Sequence, residues 1–96
     1  MRYYIVSFDR RPTSQYAEFH SDFVAHSGIR RWCHFIKSSY ILGTEMRASD
    51  VSTHFRTTAK KYGLPTRHIV LSVSLRDRAG WMPSGAWDWI RKQLEE

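Results

Sequence analysis

The sequence predicts an α+β domain in the order βαββαβ followed by a third helix, and three observations carry that expectation. Short β-branched and aromatic runs alternate with segments whose apolar residues recur at spacings of three and four. Gly, Pro and polar breakers fall between them, and no repeat, low-complexity tract or interdomain linker interrupts the series. The 96 residues and 11.4 kDa fit one domain, 1–96, and 42% hydrophobic with 15% aromatic residues is enough apolar material for a core.

The first run, Tyr3 to Phe8, reads as a strand closed by Asp9 and the breakers Arg10-Arg11-Pro12. From Ser14 the spacing changes: Tyr16, Phe19, His20, Phe23 and Val24 mark a helix, with Thr13 or Ser14 as its cap and Gly28 closing it. Trp32–Ile36 and Tyr40–Leu42 are two short β-prone runs, and the polar Lys37-Ser38-Ser39 between them predicts a hairpin turn. Ser49 and Asp50 are expected to cap a second helix, whose Val51, Phe55, Ala59 and Tyr62 share one face before Gly63 and Pro65 stop it. Ile69, Leu71, Val73 and Leu75 then alternate with Val70, Ser72 and Ser74, the pattern of a half-buried strand. Trp81-Met82-Pro83 leads into a helix capped by Ser84 and striped by Trp87, Ile90 and Leu94. Trp89 lies off that stripe and is expected either to be exposed or to meet a partner.

This order is the split βαβ pattern of ferredoxin-like folds, which predicts a four-stranded antiparallel sheet with two helices on one face plus the C-terminal helix. The topology brings three distant places to one edge: the end of the first strand, the hairpin turn, and the start of the fourth strand. Asp9, Arg10, Arg11, Lys37, Ser38, Ser39, Arg67 and His68 therefore share a rim, one carboxylate among four cations. The first strand is apolar or aromatic on both alternation sets, Tyr4, Val6 and Phe8 against Tyr3 and Ile5, so both sheet faces call for cover. A second copy of the chain or the returning C-terminal helix would supply it on the face the two helices leave open.

Fifteen Lys and Arg against nine Asp and Glu give a net charge of +6 and a pI near 9.9, which favours a polyanionic partner. Nucleic acid is preferred over a membrane, because Tyr3-Tyr4-Ile5-Val6 is too short for a signal-peptide core or a span and neither end carries a basic amphipathic helix. The single Cys33 excludes an internal disulfide framework and suits a reducing cytoplasm, and it is expected to pack as a small hydrophobe. His20, His26, His34, His54 and His68 lack zinc-ligand spacing. Arg10, Arg11, Lys37 and Arg67, with the hydroxyls of Ser38 and Ser39, suit phosphate contacts. Asp9 suits a hard cation such as Mg²⁺ or Mn²⁺, and His68 is placed to act as an acid or base beside it. The plain alternative for Asp9 is a residue that ends the strand, accepts backbone hydrogen bonds in the turn or pairs with Arg10 or Arg11.

Along nearly its whole length the sequence resembles the SinR-like small proteins and, more distantly, the CRISPR-associated endoribonuclease two family and the virulence-associated protein D toxins. The resemblance rests on Tyr3-Tyr4-Ile5-Val6-Ser7-Phe8 ending in Asp9, Gly28, Lys37-Ser38-Ser39-Tyr40-Ile41, Ala48-Ser49-Asp50-Val51 and the strand from Ile69 to Val73. Its most specific part is Ala79-Gly80-Trp81-Met82-Pro83 followed by Trp87, Trp89 and Ile90. The resemblance implies a ferredoxin-like homodimer, and in the endoribonuclease branch an aspartate in the place of Asp9 that helps hold a divalent metal near the two-fold axis for phosphodiester cleavage. The tail departs from that branch, with a helix from Ser84 to Leu94 where those proteins add a strand.

Two functions are therefore expected. One is a small dimeric nucleic-acid-associated protein with metal-dependent nuclease activity centred on Asp9. The other, from a different class, is a non-catalytic interaction module that docks on another protein, such as an accessory or inhibitor of a defence or toxin system.

Overall fold

The structure, a computed structural model, describes residues 1–95. Its elements are β1 (Arg2–Phe8), α1 (Tyr16–Val24), β2 (Ile29–Ile36), β3 (Ser39–Thr44), α2 (Ala48–Lys61), β4 (His68–Ser72) and α3 (Ser84–Leu94). The strands form one antiparallel sheet in the order β2-β3-β1-β4, and the βαββαβ order fits the ferredoxin-like pattern.

Residues opposite one another in an antiparallel pair share a face, so the registers Tyr4↔Leu42, Val6↔Tyr40 and Val6↔Val70 assemble one apolar surface from three strands. On it lie Tyr16, Phe19 and Phe23 of α1 and Val51, Phe55 and Ala59 of α2, all buried. Phe8 is central, with its ring 5.0 Å from Phe55 and 5.9 Å from Tyr40. Offset and edge-on aromatic pairs of this kind add about 0.5–1.5 kcal/mol beyond the area they bury.

α3 covers part of the opposite face. Buried Gln93 anchors it: its Oε1 accepts from Arg31 Nη1 at 2.7 Å and from the Tyr3 hydroxyl at 3.4 Å, while its Nε2 donates to the Trp89 carbonyl at 3.0 Å. Trp89 stands edge-on to Tyr3 with ring centroids 6.5 Å apart, so its partner is within the chain. Trp89 is half-buried there, a contact across the sheet that the helical spacing did not display. The two readings of the open sheet face are thereby partly resolved: the C-terminal helix folds back over Tyr3, Arg31 and Cys33, and Cys33 is buried as expected.

Several boundaries differ from expectation. α1 and α2 begin at Tyr16 and Ala48 without side-chain caps, so Ser14 and Ser49 do not play that part; Thr13 Oγ1 instead accepts the Gln15 N–H at 3.3 Å in the loop before α1. α1 ends at Val24, four residues before Gly28, whose Cβ position would lie 2.5 Å from Met46 Sδ; that glycine permits a close crossing rather than a helix stop. β2 starts earlier, at Ile29, because a bulge between Ile29 and Arg31 lets the strand continue past two arginines. β3 spans Ser39–Thr44, so the turn is reduced to Lys37 and Ser38.

The largest correction concerns β4. It ends at Ser72, and its pairing Phe8↔His68 and Val6↔Val70 turns His68 and Val70 toward the helices. Ile69 and Leu71 consequently point to the other face, where they are 53% and 51% exposed. The inward set is His68, Val70 and Ser72 and the outward set carries Ile69 and Leu71, so alternation alone points to the wrong face and the register with β1 decides.

Candidate nucleic-acid interface

The edge is built by backbone hydrogen bonds where β1 runs out. Phe8 N–H donates to the Ser38 carbonyl at 3.0 Å, and Asp9 N–H donates to the Arg67 carbonyl at 3.1 Å. These two bonds tie the end of β1 to the β2–β3 turn on one side and to the start of β4 on the other. Asp9, Lys37, Ser38 and Arg67 thus stand on one edge, and Ser39 joins them through its pairing with Ser7.

Arg67 Nε lies 3.1 Å from Asp9 Oδ2, and both side chains are well exposed. Asp9 ends the strand as expected, but its partner is Arg67 across the edge rather than Arg10 or Arg11, and at this exposure the pair is worth about 0–1 kcal/mol. Arg10 lies with its guanidinium carbon 4.0 Å above the Tyr16 ring, which fixes a cation at the α1 side of the edge. Arg11 turns away toward α2, donating from Nη2 to the Gly63 carbonyl at 2.7 Å, while its backbone N–H donates to the Tyr16 hydroxyl at 3.2 Å. Lys37 is exposed at the turn, and its carbonyl lies 3.1 Å from His34 Nε2. A hollow of about 270 Å³ lies between Ser7, Phe8, Asp9, Arg67, His68 and Ile69.

His68 sits at the strand start but faces the helices. Its Nδ1 is 2.7 Å from the Thr66 carbonyl, which requires a proton there, and its Nε2 is 2.7 Å from Ser52 Oγ, which donates to it in the neutral tautomer. Its ring lies 4.6 Å from that of Phe55. Both nitrogens are engaged inside the fold, so His68 braces α2 against β4.

One chain's residues do not fit a site for Mg²⁺ or Mn²⁺. Asp9 is the carboxylate at this edge, its Oδ2 is held by Arg67, and a hard cation takes about six oxygen ligands. Among the described residues no three His, Cys, Asp or Glu side chains come together as metal ligands.

Beside the edge lies a group that the spacing of the sequence did not single out. His34 stacks on Tyr40 with centroids 4.0 Å apart, His20 stacks on His34 at 5.3 Å, and His20 Nδ1 is 2.7 Å from the Tyr40 hydroxyl. His20 also meets Trp32, which is 42% exposed, edge-on at 4.8 Å. Burial pushes the Tyr40 hydroxyl well above the ordinary phenol range, with the Arg10 charge opposing it in part. Burial also lowers His20 and His34 below the ordinary imidazole value; His34 adds to the shift of His20, and for His34 the Lys37 carbonyl opposes the effect while Arg10 adds to it. The available signal was the position of His20 on the apolar face of the first helix together with His34 and Tyr40 flanking the hairpin turn.

Compared with known protein families, curated proteins and solved structures, the chain matches none.

Proposed function

We propose that this chain is a small nucleic-acid-associated protein that holds the phosphate backbone along the edge formed by Arg10, Lys37 and Arg67, with Arg11 behind them. The observation that supports it most is the pair of backbone hydrogen bonds joining Asp9 to Arg67 and Phe8 to Ser38, which set cations from three distant segments around one strand end. A net charge of +6 raises encounter with any polyanion, and clustered cations convert encounter into binding by releasing counterions. The more distant resemblance of the sequence to the CRISPR-associated endoribonuclease two family is consistent with such a partner. Phosphodiester cleavage needs more than this edge offers in one chain, since a single arginine-paired carboxylate would require a second copy to complete a metal site.

The test is fluorescence anisotropy with labelled single- and double-stranded RNA and DNA, with and without Mg²⁺ or Mn²⁺, on the wild type and on Lys37→Gln/Arg67→Gln. The reading expects metal-independent binding that weakens in the double variant. Equal binding by both proteins contradicts it, and metal-dependent cleavage abolished by Asp9→Ala would restore the nuclease reading in a dimer.

A second reading, docking on a protein or on another copy of the chain, is favoured by one observation: β4 is an edge strand whose outward Ile69 and Leu71 are half-exposed. Light scattering on Leu71→Lys against the wild type distinguishes it, since a docked state would lose mass in the variant.

A further inference from the structure

Resting on the reading of the charged edge as a phosphate-holding surface, we propose that the nucleic acid it takes is single-stranded, with an unpaired base stacked on Trp32. Trp32 belongs to β2, an edge strand of the sheet, and is 42% exposed. Among the described residues its ring contact is with His20, edge-on at 4.8 Å, so the indole is held from within while much of it stays open to water.

A row of rings connects Trp32 to the cations. His20 stacks on His34 at 5.3 Å and His34 on Tyr40 at 4.0 Å, and His20 Nδ1 lies 2.7 Å from the hydroxyl of the buried Tyr40. His34 Nε2 donates to the Lys37 carbonyl at 3.1 Å, so the far end of the row meets the turn where Lys37 is exposed. Arg10 stands at that end too, close enough for its charge to bear on both His34 and Tyr40. Five residues separate Trp32 from Lys37, at most about 18 Å of extended chain, a span that a few linked nucleotides cover.

Charge and ring together select the ligand. Residues 29–44, the whole β2–β3 hairpin, carry Arg30, Arg31 and Lys37 and no Asp or Glu. An apolar protein face laid on Trp32 brings no counter-charge for the cations around it, whereas a nucleic acid strand brings a phosphate with each base and releases counterions as it binds. In a duplex each base face is covered by its neighbours in the stack, so a surface indole takes a base that is unpaired. Stacking accepts any base, so Trp32 adds affinity for single strands without reading sequence.

The probes are a labelled oligothymidylate and an abasic oligomer of the same length and phosphate count, followed by anisotropy with the full chain. The proposal expects the wild type to bind the oligothymidylate more tightly than the abasic oligomer. Trp32→Ala is expected to weaken oligothymidylate binding roughly ten- to hundredfold more than abasic binding. Oligothymidylate is also expected to quench tryptophan emission saturably, and Trp32→Phe, which keeps an aromatic ring, is expected to retain most of the affinity and lose most of that quenching. This last comparison decides if Trp32→Ala does not fold. Equal wild-type binding of the two oligomers, with Lys37→Gln/Arg67→Gln weakening both, overturns the stacking proposal and leaves the edge reading intact. So does an equal loss for both oligomers in folded Trp32→Ala, or quenching that survives in Trp32→Phe. No binding of either oligomer overturns both readings. A dimer by light scattering that Trp32→Ala dissolves assigns the indole to a second copy of the chain and overturns the proposal as well.

Discussion

Asp9 and Arg67 show how one side chain's role follows from its neighbour. The carboxylate neutralises the cation beside it, so Asp9→Asn is expected to tighten nucleic-acid binding a few-fold while changing stability by less than about 1 kcal/mol. Anisotropy and chemical denaturation check both halves, and a loss of binding in the variant would mean that Asp9 itself holds the ligand. The edge residues were legible in the sequence because strand ends are marked by charge and breakers. The inward orientation of His68 was not, since it depends on the pairing with Phe8, which no local pattern displays. The histidines of the stack make a separate statement about pH. Burial lowers His20 and His34, and with them His54 of α2 beside Phe23, below 6.5, so between those lowered values and 6.5 the unfolded chain binds protons that the folded one refuses. Stability is therefore full above about pH 6.5 and falls as the pH drops through the lowered values. Thermal midpoints measured downward from neutral pH are expected to fall, and less steeply in His34→Gln; a flat profile would contradict this.

At the scale of elements, α3 and β4 carry the lesson about what pattern reading can reach. The bounds Ser84–Leu94 were legible from the Pro-Ser start and the spacing of Trp87, Ile90 and Leu94. The residue that holds the helix down was not, because Gln93 is polar and gains meaning only when Tyr3 and Arg31 meet it across the sheet. Gln93→Ala is expected to cost about 1–3 kcal/mol, since it removes the hydrogen bonds that Gln93 makes to Arg31 and Tyr3 across the sheet. Denaturant unfolding checks this, and a change under about 0.5 kcal/mol would mean that α3 is held by its apolar face alone. β4 was misjudged for another reason: its more apolar set, Ile69 and Leu71, faces outward while His68, Val70 and Ser72 face the helices, an orientation set by the register with β1. Leu71→Lys is accordingly expected to leave stability of the isolated chain within about 0.5 kcal/mol, whereas Val6→Ala, at a fully buried position of β1, is expected to cost roughly 1–3 kcal/mol.

At the scale of the molecule, the fold converts sequence order into a charged edge. The antiparallel arrangement β2-β3-β1-β4 places the end of β1 between a turn and a strand start, so residues separated by nearly sixty positions become neighbours. Cations elsewhere have other tasks or other surroundings: Lys61 is paired with Asp22 at 2.7 Å and Arg91 with Asp88. The central claim is that the edge, not the overall charge, holds the polyanion. It is tested by measuring oligonucleotide affinity against salt concentration for the wild type, for Lys37→Gln/Arg67→Gln, and for the control Arg56→Gln/Lys60→Gln on α2, which removes the same charge away from the edge. The logarithmic salt slope is expected to shrink by roughly 1.4–1.8 in the edge variant and to stay near the wild-type value in the control. Equal slopes for the two variants would contradict the account.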